Sequence, residues 1–206
     1  MNTIQIVIEF LGTFAFAISG IRWAAAKDFD WFGGYVVGLA TAIGGGTIRD
    51  VMLGVTPFWM TNSIYMICTA VALVTVIVFK KMIVKFTSTW FLFDTLGLAL
   101  FTVAGLQKPL YEGFPFWVAI IMGCITGAAG GVIRDVLINE VPLIFRKEIY
   151  AMACILGGVV YYVCQAVGLN AEVTVITSFS AVVIVRLMAV RLHISLPHLH
   201  GEKDAD

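Results

Sequence analysis

The chain repeats itself at a fixed distance of 85 residues. Glu9-Phe-Leu-Gly12 is answered by Asp94-Thr-Leu-Gly97, Phe16 by Phe101 and Gly20 by Gly105. Gly45-Gly46-Thr-Ile-Arg49-Asp50 is answered by Gly130-Gly131-Val-Ile-Arg134-Asp135. Pro57 then matches Pro142, and Ile64-Tyr65 matches Ile149-Tyr150, with no gap in the register. Shared apolar composition alone does not place Gly, Arg, Asp and Pro together in step, so the pattern is an internal duplication.

What is duplicated is apolar. Hydrophobic residues make up 60% of the 206 positions and charged residues 13%, split evenly into 13 basic and 13 acidic. A soluble domain carries about 25% charged residues, and a transmembrane helix needs about 20 mostly apolar ones. Seven stretches meet that description: Ile4–Trp23, Gly33–Leu53, Ser63–Phe79, Trp90–Leu106, Phe116–Ile138, Ile149–Val167 and Val173–Val190. The expected class is an all-α integral membrane protein of seven transmembrane helices. No basic excess is available to neutralise phosphates, which argues against nucleic acid as a partner. Cys68, Cys124, Cys154 and Cys164 sit in apolar runs without a CxxC pair and read as small buried hydrophobes. The first apolar run carries Glu9 and has no basic residue before it, unlike a signal peptide.

Each copy holds three spans, an odd number, so the second copy enters the membrane from the opposite side. Residues 1–85 form the first three-helix repeat, 86–170 the second, inverted one, and 171–206 the seventh helix and a tail. Such inverted repeats place binding or conduction sites between the halves. On this layout Arg22, Lys27, Lys80, Lys81, Lys85, Arg146, Lys147, Arg191 and Lys203 fall on one side and Lys108 on the other. The positive-inside rule then puts the N-terminus outside and the C-terminus in the cytoplasm, in the inner (plasma) membrane. His193, His198 and His200 belong to the solvated tail.

Spans two and five carry the conspicuous glycines: Gly44, Gly45 and Gly46 in one, Gly127, Gly130 and Gly131 in the other. They allow close packing of helices through small residues. They also allow a kinked helix lining a cavity, where freed backbone carbonyls solvate ions. The aligned pair Thr41 and Thr126 is polar enough to line such a path, although a hydroxyl in a helix also bonds its own backbone. A phosphate loop is excluded, because no Gly-Lys-Ser/Thr follows the glycines. No HExxH or GxSxG occurs, so no enzyme, metal or cofactor is expected.

Charges inside spans face the bundle interior. Arg49 and Asp50 are adjacent and point about 100° apart on a helix, which argues against their pairing with each other. Depth favours two symmetry-related ion pairs, Glu9–Arg49 and Asp94–Arg134, either guarding the two mouths of a path or locking span one onto span two. Asp50 and Asp135 attract cations to the mouths or reach the interface. Arg186 is expected to snorkel to the inner surface. Thr174, Thr177, Ser178 and Ser180 give span seven a polar face suited to helix packing, as do the small residues Gly97, Gly157 and Gly158.

The doubled Gly-Gly-x-Ile-Arg-Asp motif with a seventh span resembles the prokaryotic trimeric intracellular cation channels, and the related bacterial membrane proteins described as glycine-transporter-like. The resemblance covers about residues 4–190. It implies a homotrimer in membrane lipid, with a pore in each protomer between the halves. It also implies kinks at Gly44, Gly45, Gly46, Gly130 and Gly131, and conduction of monovalent cations, potassium and sodium. Ala129 stands where the first copy has Gly44, which implies a milder kink in span five. The Lys-Glu-Val signature of the animal members is not visible, so lipid regulation that depends on it does not carry over. The alternative function is a secondary transporter of a small zwitterion such as glycine.

Overall fold

The architecture is that of a computed structural model, which describes residues 3–79, 89–145, 149–192 and residue 194. Lys80, Lys81, Lys85, Arg146, Lys147 and Lys203, which entered the orientation argument, lie outside the described residues, as do His193, His198 and His200. The described residues are helical, in the order α1 (Thr3–Ala26), α2 (Trp31–Met52), α3 (Phe58–Thr61), α4 (Ile64–Val78), α5 (Thr89–Tyr111), α6 (Phe116–Leu137), α7 (Ala151–Ala166) and α8 (Ala171–Arg191). A 3-10 turn, Leu143–Phe145, lies between α6 and α7.

Five of these helices, α1, α2, α5, α6 and α8, are long and apolar enough to cross a membrane. The shorter apolar helices α4 and α7 have 15 and 16 residues. At ~1.5 Å per residue, a helix of that length falls somewhat short of a ~30 Å hydrocarbon core.

Local chemistry sets the helix ends. Asp30 caps α2 by accepting from the Gly33 N–H at 2.7 Å, and Asn170 caps α8 by accepting from the Val173 N–H at 2.8 Å. At the other end of α2, Gly54 takes a left-handed φ of 70°. Val55 N–H then reaches the Asp50 carbonyl at 2.9 Å and Gly54 N–H the Val51 carbonyl at 3.1 Å. This is a Schellman ending. At the end of α6, Asn139 (φ 56°) and Glu140 repeat it on the carbonyls of Val136 and Asp135. The helix α5 continues through Lys108 and Pro109 to Tyr111, beyond the expected end at Leu106. A proline this near a helix end removes only one ladder bond.

Four helices, α1, α2, α5 and α6, form the centre, with α4 against α1 and α2, α7 against α6, and α8 against α7 and α5. Contacts in this centre recur at the 85-residue spacing. Phe16 and Phe101, themselves counterparts, stack at 5.4 Å. Phe16 fills the space a side chain on Gly97 would need, and Phe101 does the same at Gly12. Gly157 of α7 faces Val182 of α8, and Ser178 Oγ donates to the Gly157 carbonyl at 2.9 Å. The small residues Gly97 and Gly157 therefore pack within the chain, and the polar face of α8 is used against α7 at Ser178.

Candidate functional site: two buried charge clusters on a glycine crossing

The centre of the site is the crossing of α2 and α6. A Cβ on Gly45 would overlap the Thr126 carbonyl oxygen, and one on Gly130 would overlap the Thr41 carbonyl oxygen. Numbers rise along one helix as they fall along the other, so the two helices cross antiparallel. Both helices are continuous through their glycines. At the crossing, Gly45 and Gly130 allow close backbone approach. Gly44 faces Ile133, Gly46 faces the Phe58 ring, and Gly131 faces the Tyr150 hydroxyl. Thr41 and Thr126 are buried, and each hydroxyl donates to its own helix, to the Val37 and Met122 carbonyls at 2.6 Å.

Arg49 and Arg134 lie on opposite sides of this crossing, ~18 Å apart along the axis at ~1.5 Å per residue. Their side chains are 1% and 0% exposed. Arg49 Nε donates to Asp50 Oδ1 at 2.7 Å, and Arg134 Nε to Asp135 Oδ1 at 2.8 Å. Neighbouring residues do pair here, against expectation. The arginine stem is long enough to curl round the helix, and each aspartate is held in place by the chain that follows. Phe58 N–H donates to Asp50 Oδ2, and Leu143 N–H to Asp135 Oδ2, both at 2.9 Å. Pro57 and Pro142 stand immediately before those donors. Asp50 and Asp135 thus each join an arginine to the turn beyond its helix.

The remaining partners differ between the two ends. Arg134 Nη1 pairs with Asp94 Oδ1 and also donates to Ser19 Oγ at 2.8 Å. The expected Asp94–Arg134 pair is therefore present. The expected Glu9–Arg49 pair is not: Glu9 Oε2 accepts from the Tyr65 hydroxyl at 2.6 Å, and the Arg49 guanidinium lies 5.8 Å from the Phe58 ring centre. Lys108 Nζ instead reaches Asp50 Oδ1 at 2.8 Å. Its counterpart in the first copy is Trp23, whose ring lies 6.0 Å from the Arg134 guanidinium.

Arg186 does not snorkel. It is fully buried, with its guanidinium 5.1 Å from the Phe91 ring and 4.8 Å from the Tyr150 ring. Tyr150 in turn donates to Asp94 Oδ1 at 3.4 Å. One cluster thus gathers Glu9, Arg49, Asp50 and Lys108, and the other Asp94, Arg134, Asp135 and Arg186, two charges of each sign at either end. Sequence reasoning misses Tyr65, Tyr150, Lys108 and Arg186 as members. The in-register Ile-Tyr and Pro matches are the signal for the tyrosines and the turn; Lys108 and Arg186 have no counterpart charge to reveal them. Among the described residues no group of His, Cys, Asp and Glu is placed to hold a metal ion.

Buried charge clusters on crossing apolar helices define a polytopic helical membrane protein with a polar interior. The sequence profile of the family described as Glycine transporter matches twice, over residues 6–81 and 91–166. A UPF0126 membrane protein of Vibrio cholerae is 41% identical over 93% of this chain and 81% of its own length. The UPF0126 inner membrane protein YadS of Escherichia coli K12 is 39% identical over 92% of this chain and 93% of its own. Among solved structures, a trimeric intracellular cation (TRIC) channel orthologue from Rhodobacter sphaeroides matches with a TM-score of 0.87 and 32% identity, covering 94% of this chain and all (100%) of that one. A second structure, described for conductance through TRIC cation channels, matches with a TM-score of 0.83 and 34% identity over 96% of this chain and 98% of its own. The chain belongs to the trimeric intracellular cation channel family.

Proposed function

We propose that the protein is a channel of the inner membrane that conducts monovalent cations, potassium and sodium, as a homotrimer with a path in each protomer. The path runs between residues 1–85 and 86–170, read as inverted repeats of three spans, with residues 171–206 contributing a seventh span and a cytoplasmic tail. The observation that carries this reading is the pair of charge-balanced clusters, each built on an adjacent Arg-Asp pair, at opposite ends of the α2–α6 crossing. Arg49 and Arg134 are each paired with a carboxylate, so neither presents a bare guanidinium to a cation. Conduction requires α2 and α6 to separate at Gly45 and Gly130, where their backbones approach most closely.

A second reading, transport of a small zwitterion, is favoured by one cavity. It has a volume of ≈ 340 Å³, and Glu9, Lys108 and Glu112 supply both signs of charge to its lining. Recording from the purified protein in a planar bilayer separates the two. The channel reading expects unitary potassium currents; saturable, ion-coupled glycine uptake without unitary currents overturns it.

A further inference from the structure

A second cavity, of ≈ 410 Å³, lies where the N-terminal end of α1 meets the ends of α5, α7 and α8. Its polar lining is uncharged: the amides of Gln5, Gln107 and Gln165 and the phenols of Tyr111 and Tyr161, with Val175 among the apolar walls. Gln107 and Tyr161 form the buried floor, at 6% and 4% exposure, while Tyr111 and Gln165 are exposed. The Gln107 amide lies beside the Tyr161 hydroxyl, and its Oε1 has no hydrogen-bond partner although it is buried.

We propose that this cavity binds a neutral, hydroxyl-rich ligand: a polyol or sugar, free or as the headgroup of a lipid. A buried amide with one end unpaired carries an uncompensated desolvation cost, which a ligand in the cavity removes. The amide can turn by 180°, so its unpaired end asks for a donor or an acceptor, and a hydroxyl is both. Several amides and phenols around one space match several hydroxyls. A charged ligand finds no opposite charge in the lining, and leaving water for this cavity costs it far more than it costs a neutral one. The volume falls in the range of small-molecule sites.

The test uses the full-length protein in lipid nanodiscs, titrated calorimetrically with glycerol, myo-inositol and glucose, and with the charged comparators glycerol 3-phosphate and gluconate. Native mass spectrometry of the same protein with a monoglucosyl diacylglycerol, against phosphatidylethanolamine, covers the lipid source. The expected result is saturable binding of a neutral polyol or preferential retention of the glycolipid, weakened about 10-fold or more by Gln107→Leu. Glycolipid retention without polyol binding assigns the ligand to the membrane; the reverse assigns it to solution. Failure of both overturns the proposal, as does tighter binding of the charged comparators. Undiminished binding by Gln107→Leu also overturns it. Where that variant does not fold, Tyr161→Phe takes its place under the same criterion.

Discussion

Lys108 reaches across from α5 to Asp50 on α2, its Nζ 2.8 Å from Oδ1, although 58 residues separate the two along the chain. At the other end of the crossing Trp23 occupies the equivalent position, over Arg134. The two ends are built alike around the Arg-Asp pair and differ in what completes them. The Lys108 side chain is 27% exposed and lines the cavity with Glu9 and Glu112, whereas Arg186 at the other end is fully buried.

Lys108→Met removes one positive charge from the end that faces a cavity. Asp50 keeps Arg49 and the Phe58 N–H, so the fold is expected to survive. Under the channel reading, potassium current entering from that side rises, most at low salt where charge is least screened. Single-channel conductance measured at two ionic strengths checks this.

Asp135→Asn leaves the buried Arg134 with Asp94 as its one carboxylate partner and weakens the tie to Leu143. Breaking a buried pair by removing one partner costs about 3–5 kcal/mol. A clear fall in thermal unfolding temperature in detergent is the expected outcome.

Gly45→Ala places a methyl group on the Thr126 carbonyl, a backbone atom that cannot turn aside. Overpacking of this kind costs about 1–3 kcal/mol or more. Gly44→Ala meets Ile133 Cδ1, the far end of a flexible side chain, and is expected to be milder. Parallel unfolding curves of the two variants give the order.

Tyr65→Phe and Tyr150→Phe remove counterpart hydroxyls with unequal bonds, 2.6 Å to Glu9 against 3.4 Å to Asp94. A hydrogen bond to a charged group contributes about 1.5–3 kcal/mol. Tyr65→Phe is therefore expected to destabilise more than Tyr150→Phe, measured by the same unfolding assay.

Much of the architecture is legible in the sequence. The apolar stretches place α1, α2 and α4 to α8 to within a few residues, apart from the extension of α5 to Tyr111. The register of the duplication picks out Arg49, Asp50, Arg134 and Asp135, and depth alone finds the Asp94–Arg134 pair. Depth fails for Glu9 and Arg49 because it ignores direction: Tyr65 takes Glu9, and Asp50 lies within reach of the curled Arg49 stem. The role of the glycines stays open between packing and kinking, since a pattern of small residues carries no angle. Arg186 is misplaced because its partners are rings on other elements, Phe91 and Tyr150, that a one-dimensional reading does not bring near it.

The crossing of α2 and α6 is, inside one polypeptide, what an isologous interface is between two subunits: the same patch meets itself, Gly45 on Thr126 and Gly130 on Thr41. A symmetric dimer must accept every substitution twice at such a contact. A fused pair accepts it once, so its two faces are free to diverge while the contact between them persists. Lysine at position 108 and tryptophan at position 23, which stand 85 residues apart, are a difference of that kind.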